Sequence, residues 1–284
     1  MIDSIDVQVK GYRLHALSAG AGSPVLLLHG FAGSAEDWCP TVELLSRNGY
    51  RAIAIDALGF GKSDKPAEPC YSLHLAAELY TGLLDALGLD QAALVAHSMG
   101  GKNALATTIL HPDRISRLLL ADSDGFVQIP LMMRKGGSLP LLGRFFLWMA
   151  ARPAVIRAQL QEAFFDPQAY VTPEIITRGV EVLGNLENRR ALLALSRSYD
   201  ATDLSLTGLR ARLGDIRCPT LIVWGAEDRI FAASHGETAQ REIPDARLVL
   251  IPRCGHFPQI EAFQEFHGLL LGFLAAGKAV ELKR

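Results

Sequence analysis

Short apolar runs recur along the chain: Val25-Leu26-Leu27-Leu28, Ala52-Ile53-Ala54-Ile55, Ala92-Ala93-Leu94-Val95-Ala96, Leu118-Leu119-Leu120, Thr220-Leu221-Ile222-Val223-Trp224 and Leu248-Val249-Leu250-Ile251. Their lack of polar alternation marks strands buried on both faces. Amphipathic stretches at 72–87, 101–110 and 232–241 lie between them and predict helices. Strand and helix in alternation imply a mostly parallel central sheet with helices on both faces. Residues 4–9 and 12–18, joined at Lys10-Gly11, predict a hairpin that adds an antiparallel edge. The expected fold class is therefore α/β.

The alternation stops between Phe126 and Leu213, where the chain reads as helical throughout, with Pro130, Pro140, Pro153, Pro167 and Pro173 as breakers. It returns to a strand at Cys218-Pro219. This predicts a core domain of residues 1–125 and 211–284 and a helical cap insertion of 126–210 over the sheet. The apolar stretch Leu139 to Ala151 is too short to span a bilayer and is interrupted by Arg144. The cap aromatics Phe145, Phe146, Trp148, Phe164 and Phe165 fit either a substrate wall or the cap's own core, and Met132 and Met133 pose the same choice.

Composition narrows the partners. The 284 residues are 49% hydrophobic and 20% charged, as in a globular chain, with a net charge of −2 and a pI near 6.4. No basic field is present to hold nucleic acid or anionic lipid, so a small-molecule substrate is expected, without stable membrane insertion. Met1 to Asp6 carries two acids and no apolar run, so no signal peptide is expected. Cys39, Cys70, Cys218 and Cys254 are widely separated and show no CxxC spacing. The expectation is free thiols, no metal site and a cytoplasmic location. Cys254, two residues before His256, reads as structural.

The candidate chemistry centres on Val95-Ala96-His97-Ser98-Met99-Gly100-Gly101. An apolar strand enters Ser98 and a helix leaves it. A nucleophile on so tight a turn needs small residues two positions away on each side, here Ala96 and Gly100. The helix N-terminus behind it offers unpaired N–H groups and a positive dipole end to an oxyanion. A serine hydroxyl needs a base, and the base needs an orienting acid. His256 follows the last strand, and Asp228 follows the strand before it. Glu227 and Asp122 are the rival acids. Ligands of an open α/β sheet bind at this C-terminal edge of the strands. Gly30 after the third strand lets backbone approach a substrate closely, so the N–H groups of Phe31 and Met99 are the expected oxyanion donors. His29 and His97 read as residues that pack and hydrogen-bond around the site, with His97 close enough to face substrate.

Together these pieces resemble the α/β-hydrolase superfamily, in its single-cap branch of small esterases and carbon–carbon bond hydrolases. The matching segments are His29-Gly30-Phe31, Asp56 to Ser63, His97 to Gly101, His111-Pro112-Asp113-Arg114, Trp224 to Asp228 and Gly255-His256. They run in the family's order and leave only the cap uncovered. The resemblance implies the α/β-hydrolase fold, a Ser98–His256–Asp228 triad and no cofactor. It sets aside the dehalogenase and epoxide hydrolase branches, which carry Asp at the Ser98 position. The expected reaction is hydrolysis of carboxylic esters of small to medium apolar substrates through an acyl-enzyme on Ser98.

The alternative is carbon–carbon bond hydrolysis of vinylogous diketones from aromatic-ring degradation. Such enzymes resemble this chain in size, cap position and the Ser98-Met99-Gly100-Gly101 run. They typically carry Asn where His97 stands and Trp where Phe257 stands, and a cap Arg holds a substrate carboxylate. Arg178, or else Arg134, is the counterpart here. Gly30, His97, Phe257 and Arg178 are thus the expected substrate-binding residues. A third reading is a ligand-sensing receptor of the same fold with slow turnover.

Overall fold

The computed structural model describes residues 1–126 and 140–276. Its centre is one eight-stranded sheet: β1 (Asp3–Val9), β2 (Tyr12–Ala19), β3 (Ser23–Leu28), β4 (Tyr50–Ile55), β5 (Ala92–His97), β6 (Ile115–Ala121), β7 (Thr220–Gly225) and β8 (Arg247–Ile251). The strand order is β1-β2-β4-β3-β5-β6-β7-β8. The β1–β2 and β2–β4 pairings are antiparallel, and every later pairing is parallel. Gly11, at a φ of 84°, makes the hairpin turn in a backbone region that favours glycine.

The apolar runs divide by strand period. Leu26, Leu28, Ile53 and Ile55 join one core, whereas Val25, Leu27, Ala52 and Ala54 join the other. Helices α2 (Leu73–Ala86), α3 (Met99–Leu110) and α10 (Ser234–Glu242) cover the first face. Helices α1 (Cys39–Arg47) and α12 (Phe263–Ala275) cover the second. Each fully buried Leu or Ile removes enough apolar surface to stabilise the fold by about 1.5–3 kcal/mol before entropy is counted. Trp224 is fully buried, and its indole N–H donates to the Phe231 carbonyl at 2.8 Å.

Between β6 and β7 lie α4 (Pro140–Ala150), α5 (Pro153–Ala163), α6 (Pro167–Tyr170), α7 (Pro173–Gly184), α8 (Leu186–Arg197) and α9 (Tyr199–Thr202). A proline opens each of the first four, where its fixed φ suits a helix and its missing N–H costs nothing. Four of the five prolines read as breakers therefore start helices, and Pro130 lies outside the described residues. This layer has its own small core of Ile156, Ile176, Leu183 and Leu192, which also packs on Ala57 and Phe60 from a loop at the sheet's C-terminal edge and on Met99 at the start of α3.

Candidate active site

β5 delivers the chain to Ser98, whose φ of 51° and ψ of −121° lie where a non-glycine residue is strained. The strain is held by hydrogen bonds. The Ser98 N–H donates to Ala121 O at 3.0 Å, and the Ser98 carbonyl accepts the N–H groups of Gly101 at 2.8 Å and Asp124 at 3.0 Å. Steric room explains the glycine two residues on. A Cβ at Gly100 would stand 2.7 Å from Leu28 O and 2.8 Å from His29 O, both backbone.

Three strand ends bring the expected triad together. His256 Nε2 lies 3.0 Å from Ser98 Oγ, and His256 Nδ1 lies 2.8 Å from Asp228 Oδ2. All three residues are buried. With Asp228 ionised, Nδ1 carries the proton and donates it to the carboxylate, leaving the Nε2 lone pair for the serine hydroxyl. Asp228 Oδ1 accepts the N–H groups of Ile230 at 2.7 Å and Phe231 at 3.0 Å. Burial alone would raise the Asp228 pKa, but the His256 and Phe231 hydrogen bonds outweigh it and the carboxyl sits below its ordinary value. The rival acids are placed elsewhere. Glu227 accepts the Cys254 N–H at 3.2 Å, and Asp122 lies behind Asp228, accepting the Gly225 N–H at 3.0 Å.

The backbone of His256 is itself held from two sides. Its N–H donates to Ala163 O at 2.7 Å, and its carbonyl accepts the His97 Nε2–H at 2.7 Å. Glu261 fixes the same loop: its carboxylate accepts the N–H groups of Gly255, Phe257 and Phe165 at 3.0, 3.2 and 2.7 Å. Cys254 is buried, and burial pushes its thiol far above the usual range, which leaves it an unreactive packing group.

The N–H groups expected to meet an oxyanion are those of Phe31 and Met99. Met99 opens α3, so its N–H has no preceding helical turn to bond. Phe31 N–H makes no backbone hydrogen bond among the described residues. Phe31, Ser98 and Met99 all line one cavity of about 400 Å³.

The four residues expected to bind substrate are not in that cavity's lining. Gly30 sits behind the nucleophile, where an added Cβ would meet His97 Nδ1 at 2.9 Å and Ser98 Cβ at 3.1 Å. His97 is buried, and its ring faces the His256 and Phe257 rings at 4.9 and 5.0 Å. Burial drives its pKa down to about 3, so it is a neutral hydrogen-bond donor. Phe257 is stacked on Phe164 at 4.9 Å. Arg178 is committed to Asp37 and Ser34, both at 2.8 Å, beside a separate groove. Arg134, Met132 and Met133 lie outside the described residues.

The cavity is walled instead by Leu58, Leu79, Leu192 and Phe231, together with Phe146 from α4. Of the five cap aromatics singled out above, Phe146 lines the cavity, as does Tyr199 of α9, while Phe164 packs between Tyr170 and Phe257. Its polar groups include Lys102, Asn103 and Asp124, with Lys102 Nζ and Asp124 paired at 2.8 Å and mostly buried. These were not singled out from the sequence. The available signal was position, since Lys102 lies in the first turn of the helix behind Ser98. In the segment Asp56 to Ser63, Asp56 holds the backbone of two loops: it accepts Ala35 N–H at 2.6 Å and Lys62 N–H at 2.8 Å and faces His15 Nδ1 at 2.7 Å. His29 likewise ties two loops, accepting the Ala57 N–H at 3.1 Å.

The profile of the alpha/beta hydrolase family matches residues 25–268. The chain is 33% identical to a 2-hydroxy-6-oxo-6-phenylhexa-2,4-dienoate hydrolase of Burkholderia cepacia, covering 95% of this chain and 93% of that protein. It is 34% identical to a 2-hydroxymuconate semialdehyde hydrolase of Pseudomonas putida, over 97% and 95% of the two chains. Among solved structures it resembles a meta-cleavage product hydrolase of Pseudomonas fluorescens IP01, with a TM-score of 0.81 and 26% identity over 96% of this chain and 98% of that one. No helix among the described residues is long and apolar enough to cross a membrane.

Proposed function

This chain belongs to the α/β-hydrolase family, and on that premise we propose that it hydrolyses a carbon–carbon bond in a 2-hydroxy-6-oxo-dienoate, the class of compound its relatives are named for. The observation that carries the reading is the Ser98–His256–Asp228 relay opening on an apolar cavity, in a chain aligned over nearly its whole length with such hydrolases. This reverses the order of preference drawn from the sequence, where ester hydrolysis came first. The helices of 140–202 act as the cap that closes the cavity.

The chemistry follows from the bonds. Moving the enol proton of the 2-hydroxydienoate to C5 gives a 2,6-dioxo-enoate. Ser98 Oγ attacks the C6 carbonyl as His256 Nε2 takes its proton. The oxyanion is met by the Phe31 and Met99 N–H groups. The C5–C6 bond then breaks. Its electron pair passes into the conjugated system ending at the C2 carbonyl, and the fragment takes the proton that His256 had drawn from Ser98, which leaves His256 neutral again. Water, giving a proton to His256, attacks the acyl-enzyme and releases the acid. Lys102, a mostly buried cation in the cavity wall already paired with Asp124, receives the substrate carboxylate on the ammonium hydrogens that Asp124 leaves over.

Ester hydrolysis is the second reading. It uses the same acyl-enzyme with an alkoxide leaving group, and it is favoured by the apolar wall and by Arg178 standing outside the cavity. The deciding experiment compares kcat/KM for 2-hydroxy-6-oxo-6-phenylhexa-2,4-dienoate with that for 4-nitrophenyl esters of graded chain length, with Ser98→Ala as control. A large preference for the dienoate, abolished in the variant, is expected. A preference for esters would install the second reading.

A further inference from the structure

Asp122 directly follows β6 at a φ of 42° and is completely buried. It is pinned to β7 on two sides. Its N–H donates to Val223 O at 3.1 Å, and its Oδ1 accepts the Gly225 N–H at 3.0 Å. Its other oxygen, Oδ2, is buried and has no hydrogen-bond partner within ordinary geometry. One carboxylate oxygen from each of Asp122 and Asp228, and a ring nitrogen of His256, lie within 4.8 Å of one another.

An ionised carboxylate offers about four acceptor positions. Asp228 uses two on Oδ1, for Ile230 and Phe231, and one on Oδ2, for His256. A fourth is open, and a carboxylate oxygen of Asp122 lies within 4.8 Å of one of Asp228. Two carboxylates this close and this buried do not both ionise. Burial and the Asp228 charge both push the Asp122 carboxyl well above its ordinary pKa, whereas Asp228 is held as the anion by the donors it collects.

We propose that Asp122 is a positioning residue of the site: it donates its Oδ2–H to the fourth acceptor position of Asp228, extending the relay to Ser98–His256–Asp228–Asp122. The donated bond fixes the Asp228 carboxylate from behind. It also tempers the basicity that Asp228 confers on His256. Asp122 touches neither substrate nor Ser98. The other titratable groups facing it are the Glu261 carboxyl and the Cys254 thiol from the β8 side of the site.

The test is the pH dependence of Ser98 labelling by a fluorophosphonate, which needs the nucleophile and its base but no knowledge of the natural substrate. Failure of the carbon–carbon reading would therefore leave it informative. Asp122→Asn retains an acceptor for Gly225 and a donor for Asp228, so its midpoint and rate should match wild type within about twofold. Asp122→Ala loses the donor, and its midpoint should rise while the rate falls about tenfold or more. A midpoint that falls in Asp122→Asn means that Asp122 carries a charge in the native site and overturns the proposal. A midpoint unmoved in Asp122→Ala reduces Asp122 to a structural residue and also overturns it. Infrared difference spectra give a readout independent of the alanine variant's folding. The carbonyl band of a protonated carboxylic acid should be present in wild type at neutral pH and missing from Asp122→Asn, and its absence from wild type would refute the assignment.

Discussion

The ring of His97 donates through Nε2 to the main-chain carbonyl of His256 at 2.7 Å, so one buried histidine sets the position of the other. The donor is neutral, because burial and the neighbouring His256 disfavour its charged form more than the Asp228 carboxylate favours it. The residue before the nucleophile thus supports the base instead of touching substrate, and it reaches across the sheet from β5 to the loop after β8.

This arrangement has a pH signature. The His97 pKa falls from 6.5 to about 3 on burial. The unfolded chain therefore binds a proton in that window that the folded chain refuses, and stability contributed by neutral His97 is lost as pH falls from 6.5 towards 3. Urea unfolding of wild type and His97→Asn across that range should show a shallower acid loss in the variant. Equal slopes would mean that His97 is not the group responsible.

Lys102→Met should raise KM for the phenylhexadienoate about tenfold, equivalent to about 1.4 kcal/mol, and should raise it less for a neutral nitrophenyl ester. Steady-state kinetics on the two substrates measure the difference. Equal effects on both would show that Lys102 serves only to hold Asp124.

Gly100→Ala places a methyl group against two main-chain oxygens, of Leu28 at the end of β3 and of His29 just after it, which cannot rotate away as a side chain could. A loss of about 1–3 kcal/mol in urea unfolding is expected, together with slower labelling of Ser98. A variant as stable and as reactive as wild type would show that the elbow yields more easily than its contacts imply.

Glu261→Gln keeps one acceptor oxygen and sets an N–H₂ group against an N–H of the loop, since Phe165 and Gly255 donate to different carboxylate oxygens. The unmet donor should cost about 1–3 kcal/mol and lower kcat more than it raises KM, because the displaced element carries the base. Thermal unfolding and steady-state kinetics test both parts.

The strands and the triad were legible because their signals are local. Val25 to Leu28 or Ala92 to Ala96 cannot stay in water, and Ser98, Asp228 and His256 each lie shortly after such a run. What failed was reading neighbours in sequence as neighbours of substrate. His97 and Phe257 flank triad members, yet strand alternation and the tight loop turn them away from the cavity into packing with each other. Arg178 has the right charge, but Asp37 from another loop neutralises it, a pairing across more than a hundred residues that no local pattern announces. Lys102 and Asp124 were missed for the opposite reason. A helix turn and a loop bring them to the cavity together, and neither carries a motif.

The base loop takes its fixed points from Ala163 and Phe165, outside the sheet and in the insertion that walls the cavity. Substrate range and proton transfer are therefore not separable modules in this chain. A chimera that imported a relative's insertion to change specificity would also replace the two backbone groups against which the base is aligned. Transplants should therefore begin after residue 165, leaving the stretch that ends there with its native host.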